Sequence, residues 1–258
     1  MNADAAKTDF IKEIEGASGH RFAVEVFADA VRCMAIALES PLVFGDRRRH
    51  IEAEYEQICA RYSEDEFAHF PRAFAIVQSA LELRREDFLG HALEHIGAAN
   101  TRNGQFLTPV SVSRMMARAT CANAPEGYKR GDIVKLSDPA CGSSVLLIEG
   151  AEALRAAGVA QGDVFVHAGD VDGRACDISY IQLSLLGYPA IVQHADALMG
   201  KRISPDRYTV GYFLHRYPMR MAESRTSPRW SQRQVQAVQE PPGESTSNKS
   251  TIQMELFA

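Results

Sequence analysis

The stretch Ile133-Val134-Lys135-Leu136-Ser137-Asp138-Pro139-Ala140-Cys141-Gly142-Ser143-Ser144 runs from a β-rich segment into a turn of small residues, and a helix-compatible segment, Val145 to Ala157, follows it. A strand emptying through a small-residue loop into a helix is the local pattern of a doubly wound sheet. In such sheets ligands lie outside the carboxyl ends of the strands, and small side chains let the backbone approach them. The same alternation continues downstream. Val164-Phe165-Val166-His167 reads as a strand, Arg174 to Leu186 as a helix, Ile191-Val192-Gln193 as a strand, and Tyr208 to Phe213 as a fourth strand. Strands alternating with helices of this length predict an α/β fold with a parallel sheet and helical crossovers.

Upstream the period changes. Phe22, Val26, Phe27, Ala30 and Met34 recur at helical steps, as do Phe74, Val77 and Leu81, and then Phe88, Leu93 and Ile96. Apolar recurrence of this kind predicts amphipathic helices between Phe22 and Ile96, with Pro41 and Gly45 as punctuation. Arg47-Arg48-Arg49 is followed at once by Glu52, Glu54 and Glu56, so it reads as the wet face of a helix rather than a phosphate-binding patch. Beyond Met221 the chain turns to Ser, Gln, Pro, Glu and Arg. Such a composition buries too little apolar area to offset ordering entropy, and Ala222 to Ser250 is expected to lack regular structure. The organisation read from sequence is a helical region over 1–100, a partial α/β domain over 101–221 and a tail over 222–258.

Bulk properties exclude several classes. The 258 residues are 46% hydrophobic and 24% charged, which is ordinary for a globular protein, and no apolar run approaches the ~20 residues of a membrane span. The first ten residues have no apolar signal core. The five cysteines are widely spaced, with no Cys-x-x-Cys pair, so reduced thiols in a cytoplasmic protein are expected. The net charge of −5 is uneven: residues 1–100 hold 11 Lys/Arg against 18 Asp/Glu, whereas residues 201–258 hold 9 against 5. A basic face over the whole chain is thereby excluded, and any phosphate contact is expected from the C-terminal third.

Three acidic positions follow the three successive strands. Asp138 closes the first, Asp170 in Gly169-Asp170-Val171-Asp172 follows the second, and Asp196 in His194-Ala195-Asp196-Ala197-Leu198 follows the third. A carboxylate after the second strand can accept the ribose hydroxyls of an adenosine cofactor, and one after the third can accept an adenine amino group. His91-Ala92-Leu93-Glu94-His95 matches a zinc-protease pattern, and on a helix its two histidines share a face. It has no evident third ligand, so no metal site is expected.

Together with Gly104-Gln105-Phe106-Leu107-Thr108-Pro109 upstream, the Asp138 to Ser144 loop resembles the N6-adenine DNA methyltransferases, above all the modification subunits of type I restriction systems. The resemblance covers roughly Phe88 to Phe213, about half the chain. It implies a partial Rossmann-like, S-adenosylmethionine-dependent methyltransferase sheet behind the helical region, with S-adenosylmethionine as cofactor and DNA as partner. By that resemblance Phe106 packs against the cofactor's adenine, and Thr108 and Pro109 line its methionine end. Asp138 and Gly142 frame the methionine moiety, Asp170 holds the ribose, and Asp196 takes the adenine N6.

Two departures qualify the resemblance. Ser144 stands where the family loop ends in glycine. If that position needs a positive φ, affinity suffers; if it only opens the following helix, serine is harmless. The family also places Asn/Asp-Pro-Pro-Phe/Tyr after the fourth strand, to accept the amino group of the flipped base and stack on its ring. Here that position reads Leu214-His215-Arg216-Tyr217, in which leucine accepts no hydrogen bond. The expectation is a cofactor-binding chain that does not transfer methyl groups by itself. The alternatives are an adenine methyltransferase completed by a partner subunit and a non-enzymatic interaction protein with a relic pocket. A fourth strand at the sheet's edge is expected to be covered by other elements. Finally, Gln253-Met254-Glu255-Leu256-Phe257 resembles the pentapeptide that binds bacterial sliding clamps, with Leu256 and Phe257 as apolar anchors; the alternative is a segment that docks on this protein's own core.

Overall fold

The computed structural model describes residues 3–98, 110–226 and 251–255. Helices fill the first region: α1 (Ala3–Gly16), α2 (Ala23–Glu39), α3 (Gly45–Cys59), α4 (Glu64–Phe67), α5 (His69–Leu83) and α6 (Phe88–Ala98). The helical recurrence from Phe22 onward is realised, with Val26, Phe27, Ala30, Met34, Val77, Leu81, Phe88 and Ile96 all buried. Helix α1 adds to that expectation, seating Ala6, Phe10 and Ile14 in the core at four-residue steps. Local chemistry sets the boundaries. Ser63 and Glu66 form a reciprocal capping box that starts α4, and Gly45 enters α3 with a φ of +61°. The arginine run lies on α3: Arg47 pairs with Glu39, Arg48 with Glu52 and Arg49 with Asp46.

The second region alternates as the sequence predicts: α7 (Val110–Cys121), β1 (Ile133–Asp138), α8 (Val145–Ala156), β2 (Val164–Asp170), α9 (Gly173–Leu185), β3 (Ala190–Asp196), β4 (Lys201–Arg202), β5 (Arg207–Tyr208), α10 (Val210–Leu214), α11 (Tyr217–Thr226) and β6 (Thr251–Glu255). The sheet order is β4-β3-β2-β1-β6, with β5 also on β3. β6, β1, β2 and β3 run parallel, and β4 and β5 pair antiparallel with β3. Because side chains alternate across a strand, Val134, Leu136, Val166, Ala168 and Val192 face one core, which they share with α8, α9 and the N-terminal helices. Ile133 and Phe165 face the other side, where Tyr212, Tyr217 and Met221 of α10 and α11 pack with them.

Three expectations need correction. Tyr208 to Phe213 is not a strand: only Arg207–Tyr208 pair, and Val210–Leu214 are helical. The reason is tertiary. Thr209 Oγ1 donates to the Tyr188 carbonyl at 2.7 Å and accepts from the Ala190 amide at 2.9 Å, which ends the pairing. Gly211 then backs so closely on the Gly187 and Tyr188 backbone that any Cβ would collide with it. The outer edge of β3 is covered by β4 and β5 together, so a long exposed fourth strand does not arise. The stretch expected to lack structure also begins inside an element, since α11 runs to Thr226. At the far edge of the sheet, Thr251–Glu255 pair with β1, register Ile133↔Thr251 to Ser137↔Glu255. The Gln253 to Glu255 part of the clamp-like pentapeptide therefore docks on this chain's own sheet; Leu256 and Phe257 lie outside the described residues.

Candidate functional site

The three carboxylates stand at the carboxyl ends of adjacent parallel strands. Asp138 pairs in register with Ala168, and Asp170 with His194. Each acid thus lies one two-residue step beyond its neighbour, on a diagonal with roughly 8 Å between successive positions given ordinary strand spacing and rise. Burial and the nearby Asp170 push the Asp138 carboxyl above the usual carboxylate range, while a hydrogen bond from the Ala140 amide at 2.9 Å opposes the shift.

The loop between β1 and α8 is stitched to the end of β2. Cys141 N donates to the Gly169 carbonyl at 2.8 Å, and Gly142 N to Asp170 Oδ2 at 2.8 Å. Asp170 Oδ1 accepts from Asp172 N at 2.9 Å. A carboxylate has about four lone-pair sites, so each Asp170 oxygen keeps capacity for a ligand hydroxyl. The Pro139 backbone passes Gly169 at van der Waals distance: a Cβ there would lie 3.4 Å from Pro139 Cα. Asp196 Oδ1 accepts from Leu198 N and Met199 N, both at 3.0 Å, which fixes the carboxylate at the hairpin turn. Burial pushes the Cys141 thiol up to about 12, so it is a neutral packing group at neutral pH.

Ser144 resolves the question its substitution raised. It precedes α8 in the left-handed region, φ 68° and ψ 24°, so this is a position that favours glycine. The serine is fully buried, and its hydroxyl donates to Ser179 Oγ at 2.7 Å, which in turn donates to the Gly142 carbonyl at 2.9 Å. The strained residue is thus tied into the loop. Replacing it with a β-branched residue adds strain without supplying the hydroxyl: Ser144→Val should be less stable than Ser144→Gly by about 1–2 kcal/mol in urea unfolding.

The remaining site residues divide sharply. Phe106, Thr108 and Pro109 lie outside the described residues. Of the segment Leu214 to Tyr217, the structure sets His215 and Tyr217 beside the first residues of β1 and β2, away from the loop. The His215 ring abuts Gly162, two residues before β2 begins. Tyr217 is buried and stacked on Phe165 at 5.0 Å, near the first residues of β1 and β2. The loop sits at the last residues of those strands, about 17 Å away at ordinary strand rise. A fourth strand through Phe213 would set this segment at the site; with that strand ending at Tyr208, the chain turns away. Sequence reading also missed Asp87, Ser179 and Gln182, which brace the loop. Only Asp87 had a local signal, as an N-cap before α6.

The His91/His95 pair lies on α6, with His95 Nδ1 3.0 Å from the His91 carbonyl. Among the described residues no group of three or more His, Cys, Asp or Glu is arranged to hold a metal ion. No described helix is long and apolar enough to cross a membrane.

Residues 84–232 match the N-6 DNA methylase family. Among solved structures, the chain is similar to the type I restriction-modification system methyltransferase subunit from Streptococcus thermophilus, at 12% identity and a TM-score of 0.43. That likeness covers 77% of this chain and 59% of the other, so the chain spans little more than half the length of that structure. No curated protein sequence matches. The matched span takes in α6, the strand-end carboxylates and the whole loop between β1 and α8, and on that match the chain belongs to the N-6 DNA methylase family.

Proposed function

We propose that this chain binds S-adenosylmethionine across the ends of β1, β2 and β3, as part of a DNA adenine-modifying system of the restriction-modification type, and that these 258 residues do not transfer the methyl group unaided. The observation that carries the reading is the diagonal of Asp138, Asp170 and Asp196 beside a loop whose amides are already anchored. When bound, the cofactor supplies an electrophilic methyl group on a sulfonium. The residues of this chain fit its polar groups: Asp170 has acceptor capacity left for ribose hydroxyls, and the Asp196 oxygen not used by the turn can take an adenine amino proton. Gly142, at a φ of 54°, brings backbone rather than a side chain to the methionine end.

The second half of the proposal has a separate support. Positioning an adenine amino group needs acceptors that aim its lone pair at the methyl group. No Asn-Pro-Pro or Asp-Pro-Pro occurs within the 258 residues, and His215 and Tyr217 stand at the other end of the sheet. Isothermal titration with S-adenosylmethionine tests the first half, with no heat at millimolar cofactor counting against it. Labelled-methyl transfer to unmethylated DNA tests the second: the expected result is incorporation no higher than in a cofactor-site variant. Activity that appears only when a second subunit is added would show that a partner completes the transfer machinery.

A further inference from the structure

The loop is held from a third side, by the helical region. Asp87 precedes α6, is buried, and accepts from three directions: Gly90 N at 2.9 Å, Ser143 Oγ at 2.5 Å and Gln182 Nε2 at 2.9 Å. Gln182 of α9 completes the circuit. Its Nε2 also donates to the Ser143 carbonyl at 3.0 Å, and its Oε1 accepts from Leu89 N at 3.0 Å. α6 approaches so closely that a Cβ on Gly90 would collide with both Asp87 carboxylate oxygens and Ser143 Oγ. Every member is buried, so each hydrogen bond lost leaves an unsatisfied group.

A helix cap alone needs one acceptor aimed at its own first turn. Here the second oxygen of the same carboxylate is spent 56 residues away, on the hydroxyl at the centre of the loop. Gln182 is also shared between the α6 backbone and the loop backbone. Gln182 Oε1 serves the first turn of α6, but neither the Asp87–Ser143 contact nor the Gln182 contact with the Ser143 carbonyl satisfies any group of that helix.

We infer that Asp87 is a positioning residue for the cofactor loop, coupling the seating of α6 to the conformation of Gly142, Ser143 and Ser144. The inference rests on the cofactor-binding reading for its functional meaning, while the coupling itself can be measured without cofactor. Loss of the carboxylate frees Ser143 and lets the loop leave the geometry that presents the Gly142 backbone. The same tie makes any partner that shifts α6 a modulator of cofactor affinity.

The test uses the full chain and three variants: Asp87→Ala, Asp87→Asn and Ser143→Ala. Amide hydrogen exchange is measured without ligand, and S-adenosylmethionine affinity by titration. In Asp87→Ala the amides of residues 140–145 should exchange about tenfold or more faster, while β2 and α2 keep wild-type protection, as expected for a local opening. Asp87→Asn, which keeps a carbonyl acceptor, should restore protection to within about threefold. Cofactor affinity should fall about tenfold in Asp87→Ala and Ser143→Ala and stay near wild type in Asp87→Asn. Ser143→Ala removes only the loop's own hydroxyl, so it decides the matter if Asp87→Ala does not fold. Unchanged loop exchange in Ser143→Ala and in folded Asp87→Ala overturns the inference. If the wild-type chain binds no S-adenosylmethionine, the cofactor reading fails, and the exchange result alone judges the coupling.

Discussion

Arg207→Met should lower the free energy of unfolding by about 3–5 kcal/mol, the usual cost of removing one partner from a buried ion pair. Arg207 is 5% exposed and lies between two buried acids: Nη1 is 2.5 Å from Asp177 Oδ1, and Nε is 2.8 Å from Glu39 Oε2. The Nε contact is an ion pair lying off the line of the N–H, so Coulomb attraction holds it without a formed hydrogen bond. The guanidinium also lies 4.0 Å over the Tyr180 ring. Glu39 and Asp177 each retain another arginine, Arg47 and Arg32 respectively, which should hold the loss towards the lower figure. The measurement is a urea midpoint with an unchanged m-value. A loss below about 1 kcal/mol would show that desolvation cancels the attraction here. Combining Glu39→Gln with Arg207→Met should cost less than the two losses added, because the Glu39–Arg207 attraction that each single change removes is lost only once.

Asp170→Ala should weaken S-adenosylmethionine binding by about 1.5–3 kcal/mol, since it removes hydrogen bonds made by a charged acceptor. In dissociation constants that is roughly ten- to a hundredfold. Two effects combine. The ribose loses its acceptor, and Gly142 N and Asp172 N lose theirs, so the loop slackens as well. Asp170→Asn separates them: the amide oxygen can still hold one backbone N–H, while the charge is gone. An affinity within twofold of wild type in Asp170→Ala would remove Asp170 from the site.

The parts legible in the sequence were those whose cause is local. The loop from Asp138 to Ser144 announces itself because a strand, a turn and a helix are contiguous, and Asp170 and Asp196 follow their own strands directly. What escaped depends on groups far apart in the chain. Tyr208 to Phe213 is rich in aromatic and β-branched residues, which predicts a fourth strand through Phe213. Pairing stops at Tyr208 because of contacts from Thr209 and Gly211 to residues near Tyr188. A strand through Phe213 would bring Leu214 to Tyr217 to the carboxyl ends of the strands, whereas the structure sets His215 and Tyr217 near their first residues. The geometry at Ser144 was undecidable from its neighbours, since serine is common at helix starts and tolerable, at a cost, in the left-handed region. Asp87 stands directly before α6, where a cap would stand, and nothing adjacent to it predicts Ser143 as its second partner.

The pairing of Thr251–Glu255 with β1 also has a consequence for how the protein is made. Ile133 and Thr251, the first pair in that register, are 118 residues apart in the chain. At ordinary synthesis rates β1 waits on the order of 10 s for its partner to leave the ribosome. During that interval β2 can already lie along one side of β1, while the other side presents unpaired backbone groups. An open edge of this kind is a template for strands from other chains, and pairing over so long a separation is slow even once synthesis ends. Newly made chains are therefore most exposed to aggregation at the outer edge of β1. Their yield should depend on expression temperature and on chaperones that shield nascent strands more than the stability of the finished fold would suggest.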